Sequence, residues 1–265
     1  MANTEYQRFK EVIKKLRDPQ NGCPWDLKQT HSTLLKYLIE ECYEFIHAVE
    51  TENTKEMENE LGDILLQILL HTTIAEESKK FDMESVCKLA ADKMIRRHPH
   101  VFENKDNKIE VEQVLDNWEK IKDEEKGNQV SEIDDAYLRL PSLMSATKIG
   151  KKTQKIGFDW DDASQVSYKV EEEWQELKEE ITPSKIDKDR IFEEMGDFLF
   201  SIVQFARHLE IDPEAALRSA NSKFTRRFRK MEELIKEDQK ILREMNQKQM
   251  DVYWDRAKIL EKNEN

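Results

Sequence analysis

The sequence has few of the residues that make turns and covalent cross-links. It contains six glycines, six prolines and three cysteines in 265 residues. A β-sandwich needs a turn about every ten residues, so this scarcity argues against one and favours a mostly helical protein. The cysteines are odd in number and form no Cys-x-x-Cys pair, which fits a reducing cytoplasm better than a disulfide framework.

The sequence also lacks long apolar runs and an excess of basic residues. No window approaches the roughly 18 apolar residues of a membrane span, and the charged amino-terminal segment has no apolar signal core. We therefore expect a soluble, cytoplasmic protein with no membrane partner. The formal net charge is −13, which repels nucleic acid. A small polyanionic substrate would need a bound cation or a local basic cluster.

Five short motifs occur twice in the same order, between 130 and 136 residues apart. The pairs are PWD and DWD, EECYE and EEWQE, ELGD and EMGD, KMIRR and KFTRR, and WEKIK and WDRAK. This spacing is too long for a solenoid repeat and indicates a tandem duplication of one domain. The sequence predicts an all-α protein of two helical-bundle domains, residues 1–125 and 138–265, joined by a polar linker at 126–137.

The acidic motifs lie on predicted helical hairpins. Apolar residues recur at three- and four-residue steps through residues 34–45, which predicts a helix. A turn follows, in which Asn53 is the expected N-cap with Glu56 three residues later. The second copy repeats this hairpin with a break at Pro183. The helical runs that follow ELGD and EMGD are apolar nearly all round, which predicts burial in a bundle or a subunit interface.

The acidic residues of each hairpin are spaced to share a helix face. Glu41 and Glu44 are three residues apart, as are Glu60 and Asp63, so four carboxylates converge where the two helices are antiparallel neighbours. Like charges this close repel, and a hard divalent cation resolves the conflict. Ligands that are all oxygen favour Mg²⁺ or Mn²⁺. The second copy repeats the set with Glu173, Glu176, Glu194 and Asp197.

One such acidic pair in so acidic a chain is usually a solvated helix face, but its repetition in both copies favours a metal site. Each ELGD-type motif also contains a glycine, Gly62 or Gly196, although glycine costs a helix about 1 kcal/mol relative to alanine. We expect these glycines to let another helix or a ligand approach the backbone closely.

Basic pairs follow the acidic motifs in both copies. Lys93 and Arg97 are four residues apart, as are Lys223 and Arg227. Such pairs are usually surface charge, but after an acidic metal site they suit binding of phosphate. A tryptophan follows each pair, Trp118 in the first copy and Trp254 in the second. Each tryptophan could be part of a buried core or could stack against the base of a nucleotide. The motif GKKT at Gly150 lacks the first glycine and the preceding strand of a phosphate-binding loop.

The pattern EExxE, a spacer of 15 or 17 residues and ExxD, together with NGCPWD and RRHPHVF, resembles the MazG proteins of the all-α nucleoside triphosphate pyrophosphohydrolases. The resemblance covers essentially the whole chain. It implies Mg²⁺-dependent hydrolysis of nucleoside triphosphates, ATP among them, to the monophosphate and pyrophosphate by a homodimer. Broad specificity for ribo- and deoxyribonucleotides is expected, with Mn²⁺ able to substitute for Mg²⁺.

The resemblance also assigns roles to individual residues. Glu172 or Glu173 would orient the attacking water as the catalytic residue. Metal would be held by Glu173, Glu176, Glu194 and Asp197, and in the first copy by Glu41, Glu44, Glu60 and Asp63. Nucleotide would contact Lys169, Val170, Glu171, Glu172, Glu173, Glu193, Asp197, Lys223, Arg226, Arg227 and Trp254, and in the first copy Lys93, Arg97 and Trp118. In two-domain members the carboxyl-terminal copy is generally the catalytic one, yet the first acidic set is intact here.

Two other functions are compatible with the sequence. One is a non-catalytic helical protein that binds nucleotide at the same site as a regulator. The other is a phosphoribosyl-ATP pyrophosphohydrolase, a related helical fold with similar acidic motifs. That fold usually comes as one short domain, so the duplication and NGCPWD count against it.

Overall fold

The computed structural model describes residues 4–103, 110–126, 131–181 and 186–264. The chain divides into two compact units, one reaching residue 127 and the other starting at residue 128. The described residues form helices and no strand, which confirms the all-α prediction. The predicted linker 126–137 spans the division between the units, and its residues 127–130 lie outside the described residues.

The first unit carries the first copy of each motif. Its described helices are α1 Glu5–Leu16, α2 Pro24–Leu27, α3 His31–Glu50, α4 Thr54–Glu77, α5 Met83–Arg97, α6 Pro99–Phe102 and α7 Val111–Lys126. The paired acidic motifs lie on α3 and α4, the basic motif on α5 and the tryptophan motif on α7.

The second unit repeats this order. It consists of a 3-10 helix Asp135–Arg139, α8 Ser142–Lys155, α9 Ala163–Ile181, α10 Lys188–His208, α11 Pro213–Glu237, a 3-10 helix Leu242–Glu244 and α12 Gln247–Glu264. Its acidic motifs lie on α9 and α10, its basic motif on α11 and its tryptophan motif on α12. One difference is that α5 ends at Arg97, before Pro99, whereas α11 continues to Glu237.

Local capping explains the hairpin formed by α3 and α4. The Thr30 side chain caps the start of α3 in a capping box. As predicted, Asn53 caps α4: its side chain accepts a hydrogen bond from the Glu56 backbone N–H at 3.3 Å and donates one to the Glu56 carboxylate at 2.7 Å. Glu52, in the turn, takes a left-handed φ of 54°. The short turn makes the two helices antiparallel neighbours, with the acidic motifs facing each other.

In the second unit, α9 packs against α10, and α10 also begins at a capping side chain. Asp187 caps α10 by accepting hydrogen bonds from the backbone N–H groups of Asp189 and Arg190. The predicted break at Pro183 lies outside the described residues. The buried apolar residues of α9 and α10 are Val166, Leu177 and Val203.

Each unit has its own apolar core. In the first unit the core joins α1, α3 and α4, and its fully buried members are Ile13, Leu34, Leu69 and Leu70. In the second unit a cluster joins α11 to α12, with Met231, Leu234, Ile235, Tyr253 and Ala257 buried. Among the described helices, none is long and apolar enough to span a bilayer.

Gly150 lies in α8 against a buried polar network. Gln204 donates a hydrogen bond to the Ala146 carbonyl at 2.9 Å and accepts one from Arg207 Nε at 2.8 Å. Arg207 in turn donates from Nη1 to Asp159 at 2.9 Å. A Cβ at residue 150 would stand 1.9 Å from Gln204 Oε1. Gly150 therefore serves close helix packing rather than a phosphate-binding loop.

Candidate metal centres

The first acidic centre lies between α3 and α4. Glu41 on α3 and Glu60 and Asp63 on α4 each offer a carboxylate oxygen within 4.8 Å of the other two. The three-residue spacing of Glu60 and Asp63 puts both on one face of α4, and the hairpin brings that face to Glu41. The structure thus brings together three of the four carboxylates predicted for this copy.

The carboxylates of this first centre repel one another. Burial raises the pKa of Glu41, and the nearby charges of Asp63 and Glu44 raise it further. Burial and the charge of Glu60 likewise raise the pKa of Glu44, which is the predicted fourth ligand and lies outside the group of three. These shifts arise because bringing several carboxylates together disfavours their charged forms.

Glu60 has an unsatisfied oxygen in this centre. Asn59 donates to Glu60 Oε1 at 3.2 Å and to Asp63 at 3.3 Å. Glu60 Oε2 is buried with no hydrogen-bond partner among the described residues, in a residue that is 7% exposed. A buried acceptor left without a partner is costly, and a cation shared with Glu41 and Asp63 would satisfy it. The oxygen-only donor set therefore fits a hard divalent cation.

An open cavity of about 810 Å³ borders the first centre. It reaches from the amino-terminal end of α4 to Phe9 on α1, and its lining includes Lys55, Glu60, Gly62 and Asp63. Its volume is within the range of small-molecule sites, roughly 300 to 1,000 Å³. A small ligand at this centre would have room beside the acidic residues.

The second acidic centre lies between α9 and α10. Glu173 on α9 and Glu194 and Asp197 on α10 offer oxygens within 4.8 Å of one another. Glu176, the fourth predicted ligand, lies outside that group of three. Its charge adds to burial in raising the pKa of Glu194, while Arg190 opposes that shift.

Two cations belong to this second centre. Lys169 Nζ lies 2.7 Å from Glu173 and 3.1 Å from Glu172, and the bond to Glu173 is the largest cause of the raised pKa of Lys169. Arg190 Nη2 lies 2.9 Å from Glu180 and 3.4 Å from Glu194. Glu173 is 6% exposed, so its charge is balanced from within the unit.

A basic group lies between α11 and α12. Arg226 and Arg227 both donate to Glu261, the first to one carboxylate oxygen and the second to the other. These bonds hold the pKa of Glu261 below its usual value, with Arg227 the larger cause. Arg227 uses its Nε in this bond, so the pair fixes the orientation of its guanidinium group.

The first unit repeats this basic group between α5 and α7. Arg96 and Arg97 both donate to Glu125, at 2.8 Å and 3.3 Å from their Nε atoms. These two bonds, that of Arg97 first, lower the pKa of Glu125 to about 2. The matching ion pairs extend the duplication beyond the motifs visible in the sequence.

The two tryptophans pack beside these basic groups. Trp254 lies 5.0 Å from the Phe224 ring, between ring centroids, and packs against the buried core of α11 and α12. Trp118 lies 5.4 Å from the Arg97 guanidinium and 4.9 Å from the His98 ring. Trp254 thus packs against a core, and both tryptophans are half-buried.

The remaining predicted nucleotide contacts are distributed over four helices. Val170 is half-buried and Glu171 exposed on α9, and Glu193 is exposed on α10. Lys93 and Lys223 are exposed on α5 and α11. The acidic and basic groups of the second unit belong to neighbouring helices, because α11 contacts α10.

Sequence reasoning did not find four residues that the structure adds to these groups. They are Asn59, Glu125, Arg190 and Glu261. Two signals were present in the sequence: Arg190 lies four residues before Glu194, a spacing that forms ion pairs on helices, and Glu125 and Glu261 are at matching places in the repeated last helices.

Comparison with known proteins agrees with the duplication. A family model described as the MazG nucleotide pyrophosphohydrolase domain matches residues 29–102 and again residues 161–232. The chain is 44% identical over 258 residues to a Thermotoga maritima protein named nucleoside triphosphate pyrophosphohydrolase/pyrophosphatase MazG, with 97% of each chain covered. It is 42% identical over 233 residues to an Escherichia coli K12 protein named nucleoside triphosphate pyrophosphohydrolase, covering 87% of this chain and 88% of that one.

A crystal structure of a mazG-related protein from Thermotoga maritima is similar over 44% of this chain and 98% of that one, at 31% identity and a TM-score of 0.38. Each compact unit contains one of the two matches to the family model. The two matches to the family model, together with the relatives from Thermotoga maritima and Escherichia coli, show that the chain belongs to the MazG family of nucleotide pyrophosphohydrolases and is a hydrolase of that family.

Proposed function

We propose that the protein hydrolyses nucleoside triphosphates to the monophosphate and pyrophosphate, with broad specificity for ribo- and deoxyribonucleotides. The observation that carries this function is the convergence of Glu173, Glu194 and Asp197 within 4.8 Å, in a unit that also presents basic residues on the neighbouring α11. The names of the Thermotoga maritima and Escherichia coli relatives support the same reaction.

The second centre would hold Mg²⁺, for which Mn²⁺ could substitute, through Glu173, Glu194 and Asp197, with Glu176 as the fourth ligand. The bound ion would supply charge neutralisation for the triphosphate. The carboxylate oxygens present are the donors that such hard cations prefer.

The chain's own side chains would orient the reactants. Glu172 or Glu173 would accept a hydrogen bond from the water and aim it at the α-phosphorus, so that pyrophosphate leaves. Lys169 already lies against both glutamates and can turn towards a phosphate. Lys223 and Arg227 would stabilise charge on the leaving pyrophosphate. The predicted contacts of Val170, Glu171, Glu193, Arg226 and Trp254 belong to this proposal as well.

Apolar side chains beside the acidic centres support a homodimer. Phe192 on α10 is 83% exposed, and Leu61 on α4 is 52% exposed. A Cβ added at Gly62 or Gly196 would meet no described atom within 4 Å outside its own helix turn, so a close approach there would come from a second copy or a ligand. Light scattering of the purified chain should give twice the mass of 31.6 kDa; a monomer would contradict the dimer.

The test of the reaction is pyrophosphate release from a panel of nucleoside triphosphates with Mg²⁺. One double variant carries Glu173→Ala and Glu176→Ala, and its matched control carries Glu41→Ala and Glu44→Ala. Loss in the first variant alone would assign catalysis to the second unit, and partial loss in each would mean two active sites. For the first unit, Lys93→Ala, Arg97→Ala and Trp118→Ala test the predicted nucleotide contacts.

Two results would contradict the proposed reaction. One is release of orthophosphate and nucleoside diphosphate in place of pyrophosphate. The other is an unchanged rate in the presence of a chelator. Tight nucleotide binding with no turnover would instead indicate a regulatory binding protein, and preferential turnover of phosphoribosyl-ATP would indicate that related activity.

A further inference from the structure

We propose that the two acidic centres take up a divalent cation under different conditions. The first centre binds the cation without nucleotide, whereas the second binds it only when a nucleotide draws Lys169 away from Glu173. Because Lys169 is assigned to phosphate only by the proposed function, this second condition rests on that function. The first condition stands on the structure of the first unit alone.

The second centre carries its own counter-charges. Lys169 Nζ lies 2.7 Å from Glu173 Oε1, and Glu173 is buried. Arg190 lies 3.4 Å from Glu194 and also 2.9 Å from Glu180 on the neighbouring α9. Arg190 thus ties the two helices of the hairpin together where their carboxylates repel.

The first centre has no such counter-charges at the matching positions. Aligned by the repeated motifs, Tyr37 stands where the second copy has Lys169, and Glu56 stands where it has Arg190. Within the part of the chain that the structure describes, no lysine or arginine forms an ion pair with Glu41, Glu60 or Asp63. Tyr37 instead packs edge-on against Trp25, with ring centroids 5.7 Å apart.

A buried atom of the first centre points independently to cation binding. Glu60 is 7% exposed, and its Oε2 has no hydrogen-bond partner among the residues that the structure describes. Asn59 donates to the other oxygen, Oε1, at 3.2 Å, and an amide brings no positive charge. The cation that would complete this centre would also join Glu41 on α3 to Glu60 and Asp63 on α4.

The two centres differ because, in the second centre, Lys169 competes with a metal cation for the carboxylate of Glu173. A cation that enters there must first replace the ammonium of Lys169 on Glu173, so part of its attraction to the carboxylates is already offset. A triphosphate offers the ammonium other oxygens and removes the competition. In the first centre, no lysine or arginine of the described residues is paired with the carboxylates, and the side chains hydrogen-bonded to Glu60, those of Asn59 and Glu44, bring no positive charge.

The test is a titration of the full chain, freed of metal with a chelator, with Mn²⁺ and no nucleotide. Free Mn²⁺ is measured by electron paramagnetic resonance, which does not depend on activity. We expect one tight site per chain. Glu60→Gln should weaken it by at least about tenfold, the scale on which changes around metal ligands alter affinity. Glu194→Gln should leave it unchanged.

A second variant tests the role of the internal cation. Lys169→Met should add a second tight site, whereas its matched control Lys178→Met, on the same helix, should not. Helix content by circular dichroism checks that each variant folds, and Asp63→Asn should repeat the result of Glu60→Gln. Two equal sites in the unchanged chain, no site, or a single site lost in Glu194→Gln would overturn the proposal. Absence of pyrophosphate release with one Mn²⁺ site retained would remove the proposed function but leave the first centre's metal binding standing.

Discussion

Replacement of Gly150 by alanine tests the buried network of the second unit. The new Cβ would stand 1.9 Å from Gln204 Oε1 and 2.7 Å from Arg207 Nε, so the Gln204 side chain must move. Gln204 is 1% exposed, so its side chain cannot move out into solvent. Its two hydrogen bonds, to the Ala146 carbonyl and from Arg207, would be strained or lost.

The expected loss follows from these contacts. Two hydrogen bonds contribute about 2 kcal/mol to the free energy of unfolding, and overpacking of a buried site costs about 1 to 3 kcal/mol. The helix preference of alanine over glycine offsets about 1 kcal/mol. Gly150→Ala should therefore lower the free energy of unfolding by about 2 to 4 kcal/mol, measured by chemical denaturation followed by circular dichroism.

A control with the same chemical change separates packing from helix propensity. Gly196 lies inside α10, where an added Cβ would meet no described atom within 4 Å outside its own helix turn. Gly196→Ala should therefore raise the free energy of unfolding by about 0.5 to 1 kcal/mol. In a double variant, Gln204→Ala should recover part of the loss caused by Gly150→Ala, because the two sites are in contact. Unchanged or increased stability of Gly150→Ala would refute the reasoning.

Three further predictions concern single side chains. Asp159 accepts hydrogen bonds from Arg207, which lower the pKa of the Asp159 carboxyl even though burial raises it. The ion pair therefore stabilises the folded protein fully above the unfolded pKa of about 3.9. This stabilisation is lost as the pH falls through the lower pKa of Asp159 in the folded state. Unfolding of Asp159→Asn should accordingly be less sensitive to pH in that window, and an unchanged profile would contradict the assignment. Asn53→Ala removes the cap of α4 and should lower the free energy of unfolding, measured by chemical denaturation, by about 1 kcal/mol. An unchanged free energy of unfolding would contradict a stabilising role for this cap. Glu261→Gln weakens the ion pairs that orient Arg226 and Arg227, and it should lower kcat, because Arg227 is proposed to stabilise charge that develops on the leaving pyrophosphate; an unchanged kcat would contradict a positioning role for Glu261.

Local rules predicted most of the fold. The three- and four-residue steps through residues 34–45 predicted the helix α3, and Asn53 with Glu56 predicted the start of α4, because both signals act within a few residues. The spacing of Glu60 and Asp63 placed them on one face, and the hairpin brought them to Glu41. Contacts of this kind follow from short-range geometry alone.

Other features depend on which side chains meet across helices, and the sequence does not show this directly. The need for a glycine at residue 150 arises from Gln204, which approaches from another helix. Lys169, expected to contact nucleotide, forms an ion pair with Glu173, which lies one helical turn away on the same face of α9. The roles of the metal ligands and nucleotide contacts themselves stay predictions that the experiments above test.

The hairpins that hold the acidic centres also bear on how the chain folds. Each hairpin joins helices that are close in sequence, and local contacts of this kind favour rapid folding. Two tandem units with the same order of helices, however, offer each helix a wrong partner in the other unit, and misassembly between domains is a characteristic failure of repeated architectures. Ion pairs that occur in one copy only, such as Arg190 with Glu180, distinguish the correct hairpin from the exchanged one. The first copy has Glu56 at the position of Arg190, so an exchanged hairpin of α9 with α4 would lack this ion pair. Divergence between the copies would thus favour correct assembly as well as specialise the centres.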